Sequence, residues 1–288
     1  MFMKNYWGRI AKRGMQFFAL TAALSCLITP HSVQAWTYTL TNGNSTATIG
    51  ADTPYGMSDW TVDGQTQLYK QWFWYRKGMT GAESPINEIA LKSATLISPS
   101  ILNTVYQSGN LFSIEINYSL LGGAIGSSSS AIGEQIKINN LTGNALNFHF
   151  FQYVDFDLGG NWLGDTVRLE QNAQGLFEKA FQTKGNAYFA DEIVSPAANH
   201  GEVGLSQSIL TKLNDGSPTT LSDDIGPVTG DAVWAFQWDV NIAAHQSFSI
   251  AINKSVYIAP IPEPTTAALM TVGVVLLTIA RRRTGTKS

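Results

Sequence analysis

Asp155 and Asp157 stand two residues apart and are followed by Gly159-Gly160-Asn161 and then by Asp165. Two carboxylates, a tight glycine turn and a third carboxylate offer only oxygen donors, the ligand type that calcium takes. No EF-hand spacing is present, and aspartates also cap strand ends and turns, so a structural part for the three is the competing reading. The same carboxylates could serve as acid and base of a glycosidase, which needs two carboxyl groups flanking the scissile bond at a separation set by the fold. A second group is aromatic: Trp72-Phe73-Trp74-Tyr75-Arg76. On a strand, Trp72, Trp74 and Arg76 share one face, and Phe73, Tyr75 and Lys77 the other. Aromatic rings pack against the apolar faces of pyranoses, so one of these faces could be a sugar-stacking platform. Aromatic residues also fill sandwich cores, which would bury the stretch and leave Arg76 or Lys77 to carry its charge to solvent.

Other chemistries find little footing. His149, His200 and His245 are scattered, with no pair at metal-ligand spacing, so a three-histidine zinc site would need a tertiary coincidence. The only cysteine, Cys26, lies in a leader that export would remove, which leaves no disulfide, thiol nucleophile or thiolate metal site. No Gly-x-Ser-x-Gly elbow, Walker loop or dinucleotide fingerprint occurs. The expectation is a protein that is not an enzyme and has no cofactor, with calcium at Asp155, Asp157 and Asp165 as the one candidate.

The elements that must position these residues read as strands. Alternating or aromatic-rich runs separated by turn residues cover 36–41, 67–76, 101–107, 111–121, 134–139, 146–158, 166–170, 232–242 and 246–258. From Phe112 the even positions are apolar and the odd ones polar; from Trp234 the same separation sets Trp234, Phe236, Trp238, Val240 and Ile242 against Ala235, Gln237, Asp239 and Asn241. The run 146–158 is apolar on both faces, as for a strand covered on both sides. A single short helix is expected over 205–213, closed by Asn214-Asp215-Gly216. The Gly/Ser/Ala-rich stretch 122–133 suits a mobile connection. No repeat of fixed period and no break in composition appears. The fold class is therefore all-β, a large antiparallel β-sandwich.

Both ends of the chain read as address labels. Lys4, Arg9, Lys12 and Arg13 precede an apolar stretch over 17–28 and Val33-Gln34-Ala35, a small-residue cleavage site between Ala35 and Trp36. This is the pattern of a secretory signal peptide, cut by signal peptidase. At the other end Pro262, Glu263 and Pro264 are followed by an uncharged run over 265–280, long enough for most of a bilayer's hydrocarbon core, and then by Arg281, Arg282 and Arg283, which resist translocation. A permanent C-terminal membrane anchor is one reading of that order.

Taken together, motif, apolar helix and arginine cluster resemble the PEP-CTERM tail, the signal by which exosortase-type transpeptidases sort proteins in exopolysaccharide-producing Gram-negative bacteria. The body is similar to ectodomains that precede such tails, through 148–158 and 235–239, a resemblance that brings no activity with it. It implies three regions: a signal peptide (1–35), a β-sandwich ectodomain (36–259) and a sorting signal with a transmembrane helix (260–288). It also implies an exosortase-type protease as partner, the inner membrane before processing, and the cell surface or extracellular matrix, in association with exopolysaccharide, afterwards. The alternative is a carbohydrate-binding or carbohydrate-active protein on the same sandwich. Residues 36–259 hold ten basic and twenty acidic side chains, a formal charge of −10 that repels nucleic acid and anionic lipid. Intact-mass measurement on surface protein from a strain with an active sorting protease should find a chain that begins at Trp36 and has lost Arg281–Arg283; retention of that cluster would leave only the membrane-anchor reading.

Overall fold

A computed structural model describes residues 36–259, so the leader, with Ala35, and the tail, with Pro262, Glu263, Pro264 and Arg281–Arg283, lie outside the described residues. Within them the chain forms β1 (Thr37–Asn42), β2 (Ser45–Gly50), β3 (Gly56–Val62), β4 (Gln65–Lys77), β5 (Ser84–Pro85), β6 (Leu91–Ser98), β7 (Ile101–Ser108), β8 (Phe112–Gly122), β9 (Ser129–Asn140), β10 (Leu146–Phe156), β11 (Asp165–Gln171), β12 (Phe177–Lys184), β13 (Tyr188–Ala198), β14 (His200–Leu205), helix α1 (Ser208–Lys212), β15 (Val228–Gly230), β16 (Ala232–Ile242) and β17 (Ser247–Ile258). Every pairing is antiparallel. One sheet runs β1-β2-β3-β4-β10-β16-β14, with β5 on β4; the other runs β15-β11-β12-β13-β17-β9-β8-β7-β6. The two stack as a sandwich. Among the described residues no helix is long and apolar enough to cross a membrane.

Alternation places the core as expected. Ile114 and Ile116 on β8 and Phe236 and Trp238 on β16 are buried in one hydrophobic cluster. Cross-strand aromatic pairs line the inner face of the first sheet: Phe73 stacks on Phe150 at 5.3 Å, Tyr75 on Phe148 at 5.9 Å, and Phe156 on Trp234 at 5.6 Å. Both faces of β10 are covered along its buried length. The face of β16 read as wet is covered over its first half, which corrects that expectation there: Ala235 and Gln237 are fully buried, because the segment after α1 folds over Gln237 and Leu221 N–H donates to its Oε1 at 2.9 Å, whereas Asp239 is half-buried and Asn241 exposed.

Three further readings change. Half of the stretch 122–133 is strand, since β8 runs to Gly122 and β9 starts at Ser129, and in the connection that remains Asp63 accepts from the N–H groups of Gly126 and Ser128. The helix spans only Ser208–Lys212, because Leu205 completes β14. Strands β2, β3, β5, β6, β12, β13, β14 and β15 were not expected. Their patterns are weak: β2 is built of small residues, and β6 has no buried position at all.

A charged group lies between the sheets. Lys254 on β17 donates to Glu134 Oε2 on β9 at 2.8 Å and sits 3.7 Å from Glu192 Oε2 on β13, and all three are fully buried. From the opposite sheet, Gln152 on β10 donates to Glu192 at 3.2 Å. Burial raises the carboxyl of Glu192 to about 7, Lys254 opposing and the Glu134 charge adding; burial likewise raises Glu134, against Lys254. Because the folded state holds these protons more tightly than the unfolded chain, their contribution is full at pH values below about 4.5 and is lost as pH rises through about 7. Lys254→Met leaves two buried acids without a counter-charge and should cost about 3–5 kcal/mol. Urea midpoints measured from pH 4.5 to 8 should fall more steeply with pH for the variant than for the native chain, and parallel curves would contradict this account of the cluster.

Candidate functional site

The chain passes between the sheets twice at one end of the sandwich, and the two passages lie side by side. The first leaves β10 after Phe156 and enters the other sheet at Asp165; the second is the single residue Asp231, between Gly230 of β15 and Ala232 of β16. Asp165 pairs with Gly230, so the register of β11 on β15 brings the passages together. Asp155, Asp157 and Asp231 converge there, each offering a carboxylate oxygen within 4.8 Å of the others.

The first passage turns on Gly159 and Gly160, at φ 73° and 72°, the left-handed region that glycine tolerates. A Cβ on Gly159 would stand 2.8 Å from the Tyr188 ring, whereas one on Gly160 would meet open space apart from Thr66 O at 3.8 Å. The Gly159 N–H donates to Gln67 Oε1 at 3.1 Å, tying the turn to β4. Strand β4 itself bulges here: Asp155 pairs with Lys70 and Phe156 with Leu68, leaving Tyr69 unpaired and 54% exposed. Bulges re-aim side chains in this way. Tyr69 lines one side of a cavity of about 300 Å³ whose other walls are Asp155, Asp157, Trp162, Ser206, Gln207 and Asp231; Trp162 is 52% exposed.

The electrostatics are those of crowded acids. Burial, then the Asp157 and Asp231 charges, push the Asp155 carboxyl up to about 7, against a hydrogen bond from the Tyr153 hydroxyl at 3.1 Å and the charge of Lys70. Burial and Asp231 raise Asp157, with Lys184 opposing. Burial also lowers Lys70, against Asp155, and its ammonium lies over the Trp74 ring at 5.8 Å. Asp155 is 2% exposed, and its Oδ1 has no hydrogen-bond partner.

Asp165 does not join this group, which corrects the expected ligand set. Its side chain turns back into the fold, where Oδ2 accepts from Leu158 N–H at 3.3 Å and Gln182 Nε2 at 2.8 Å, and Oδ1 lies 3.5 Å from Lys184 Nζ. It anchors the passage that Asp157 begins. The aromatic platform is likewise corrected: Trp72 and Trp74 are buried under chain connections, Trp72 Nε1 donating to Asn87 Oδ1 at 3.0 Å and Trp74 Nε1 to Asn214 Oδ1 at 3.2 Å. Arg76 is buried against Glu83 and donates to Thr219 O at 2.8 Å, so it does not reach solvent. The face is roofed by the segments before β6 and after α1.

Tyr69, Trp162 and Asp231 were missed. Trp162 had a legible signal, an aromatic ring among turn residues with no strand to carry it inward. The histidines are less scattered than their spacing suggests, since His149 Nδ1 is 2.6 Å from Asp239 Oδ1 and His200 Nε2 is 3.6 Å from Asp239 Oδ2; neither lines an open cavity described here. A second depression, of about 240 Å³ on the outer face of β12, β13 and β17, carries Phe181, Phe189 and Tyr257.

No family model matches the chain, and no curated protein does. Solved structures share its fold. A bacterial glucoamylase complexed with acarbose aligns at TM-score 0.54 and 12% identity over 83% of this chain and 36% of that one, so the chain spans about a third of the glucoamylase. The Slr1438 protein from Synechocystis sp. PCC 6803 aligns at TM-score 0.51 and 11% identity over 78% of this chain and 96% of that one. At these identities the likeness is one of fold.

Gly159→Ala should destabilise the protein by about 1–3 kcal/mol, from backbone strain plus the Tyr188 contact. Gly160→Ala should cost less, with strain alone. Urea unfolding of the two variants checks this, and equal losses would mean that the Tyr188 contact does not brace the turn.

Proposed function

We propose that this chain is an exported surface or matrix protein that holds a neutral polysaccharide, without cleaving it, in the cleft formed by Tyr69, Trp162, Asp155, Asp157 and Asp231. The observation that carries the reading is the pairing of two half-exposed aromatic rings with three carboxylates in one cavity. Rings of this kind stack on pyranose faces, and carboxylates accept hydrogen bonds from sugar hydroxyls. A formal charge of −10 over residues 36–259 favours a neutral chain over an anionic one. The fold shared with a glucoamylase is in keeping with a sugar ligand. Export through the leader and sorting by an exosortase-type protease at Pro262-Glu263-Pro264 complete the proposal, on the order of elements in the tail.

Hydrolysis has one observation in its favour, the Asp155 carboxyl held up to about 7 as a general acid would need. The nearest oxygens of the three carboxylates lie within 4.8 Å of one another, well inside the roughly 6.5–9.5 Å of inverting pairs and near the roughly 5–5.5 Å of retaining ones, so the release of reducing ends separates hydrolysis from binding. Affinity electrophoresis of the exported protein through gels holding a soluble neutral β-glucan, α-glucan, mannan or galactan tests the reading. Retardation is expected in at least one gel, with no reducing ends released. Tyr69→Ala combined with Trp162→Ala should weaken it roughly tenfold or more, about 1.4 kcal/mol, while Phe189→Ala leaves it unchanged. Retardation in none, or equal retardation of the double variant, would overturn the reading.

A further inference from the structure

We propose that Asp155, Asp157 and Asp231 bind one calcium ion, which lies on the floor of the cleft and presents it to sugar hydroxyls. The location rests on the same cleft as the proposed function, whereas the binding of the ion does not depend on it.

Geometry comes first. Oxygens that share a calcium ion lie about 2.3–2.6 Å from it, so two of them can stand no further apart than about twice that distance. The three carboxylates meet this bound, with oxygens within 4.8 Å of one another, although they come from two separate chain passages. No side chain between them need move far to enclose an ion.

The second observation is the orphaned oxygen. Asp155 is 98% buried, its Oδ2 is engaged by the Tyr153 hydroxyl, and its Oδ1, in a residue that lines the cavity, has no partner. A buried acceptor left unsatisfied is costly unless a ligand completes it. Among the described residues none of the three acids forms a salt bridge; Lys184 is held by Asp165 and by the carbonyl of Asn161, and Lys70 lies over Trp74.

The donor set selects the metal. All three ligands are carboxylates, and Ser206 and Gln207 also line the cavity, which has neither histidine nor cysteine among its lining residues. Hard oxygen ligands suit calcium or magnesium over zinc or copper, and an open cavity that admits water and sugar hydroxyls as further ligands suits the larger, more flexible coordination of calcium. Charge completes the case: three carboxylates in one cavity repel one another, and a divalent cation offsets most of that repulsion.

The exported protein, freed of metal with a chelator, is titrated with calcium chloride by calorimetry and its melting temperature followed in parallel. One ion per chain is expected, with a melting temperature that rises with calcium and rises less with magnesium at the same concentration. Asp157→Asn and Asp231→Asn, both at partly exposed positions, should each weaken calcium binding by more than about tenfold. Without metal these variants should melt at or above the native temperature, since each removes a like charge; a purely structural part for the carboxylates would lower it instead. No heat and no melting shift, or undiminished binding in both variants, would overturn the proposal. Repeating the β-glucan, α-glucan, mannan and galactan gels with and without chelator separates the two readings. Calcium binding with no polysaccharide retarded would sink the sugar reading and leave the ion, and retardation indifferent to chelator with no calcium bound would do the reverse.

Discussion

A fully buried ion pair on the second sheet is met by a side chain from the first. Lys254 is fully buried between Glu134 and Glu192, and Gln152 reaches from the facing sheet to the same Glu192. Apolar residues on either side would tolerate small sliding of one sheet over the other, because hydrophobic burial has no direction. The hydrogen bond from Gln152 to Glu192 does not, since displacement by one residue would break it and leave a buried amide and a buried carboxyl without each other. Strand β10 carries Gln152 in this junction and Asp155 beyond it, so the position of the acidic cleft follows from the register that the junction enforces.

The cleft depends on a second constraint, the crossing of the chain between sheets. Antiparallel sandwiches bury both inner faces, and residues that leave one sheet for the other must gather at an end, where turns can be satisfied by water and side chains. Here two crossings share that end, and Asp165 locks one to the other by pairing with Gly230 and accepting from Leu158 and Gln182. Of the acids left over, Asp155 has a partner at one oxygen only, the Tyr153 hydroxyl, and Asp155, Asp157 and Asp231 face one cavity. One aspartate thus serves the architecture and three face a cavity, the arrangement on which the cation and sugar proposals rest.

How much of this was legible in the sequence depends on whether a residue's neighbours are near in the chain. Period-two alternation placed Ile114, Ile116, Phe236 and Trp238 in the core, because orientation along a strand is a local property. Alternation could not tell that Gln237 would be roofed by the segment around Leu221 or that Trp72 and Trp74 would be covered, since those lids come from distant chain. Asp155 and Asp157 announced the site through their spacing and the glycine turn. Asp231 did not, being a lone acid between two strands that only sheet order brings near, and Tyr69 is turned outward by a bulge that depends on its partner strand. Asp165 misled for the same reason, as its partners Gln182 and Lys184 lie on the next strand.

Oxidative footprinting bears most directly on the claim that this cleft is where the protein meets its ligand. Hydroxyl radicals modify exposed aromatic rings, and the described residues offer such rings in several places, among them Tyr69 and Trp162 in the acidic cleft and Phe189 and Tyr257 on the outer face of the second sheet. With the neutral polysaccharide that the exported protein binds most tightly, Tyr69 and Trp162 should be protected while Phe189 and Tyr257 are modified as before. Protection of Phe189 and Tyr257 with Tyr69 and Trp162 unchanged would contradict the account and move the binding surface to the other side of the sandwich.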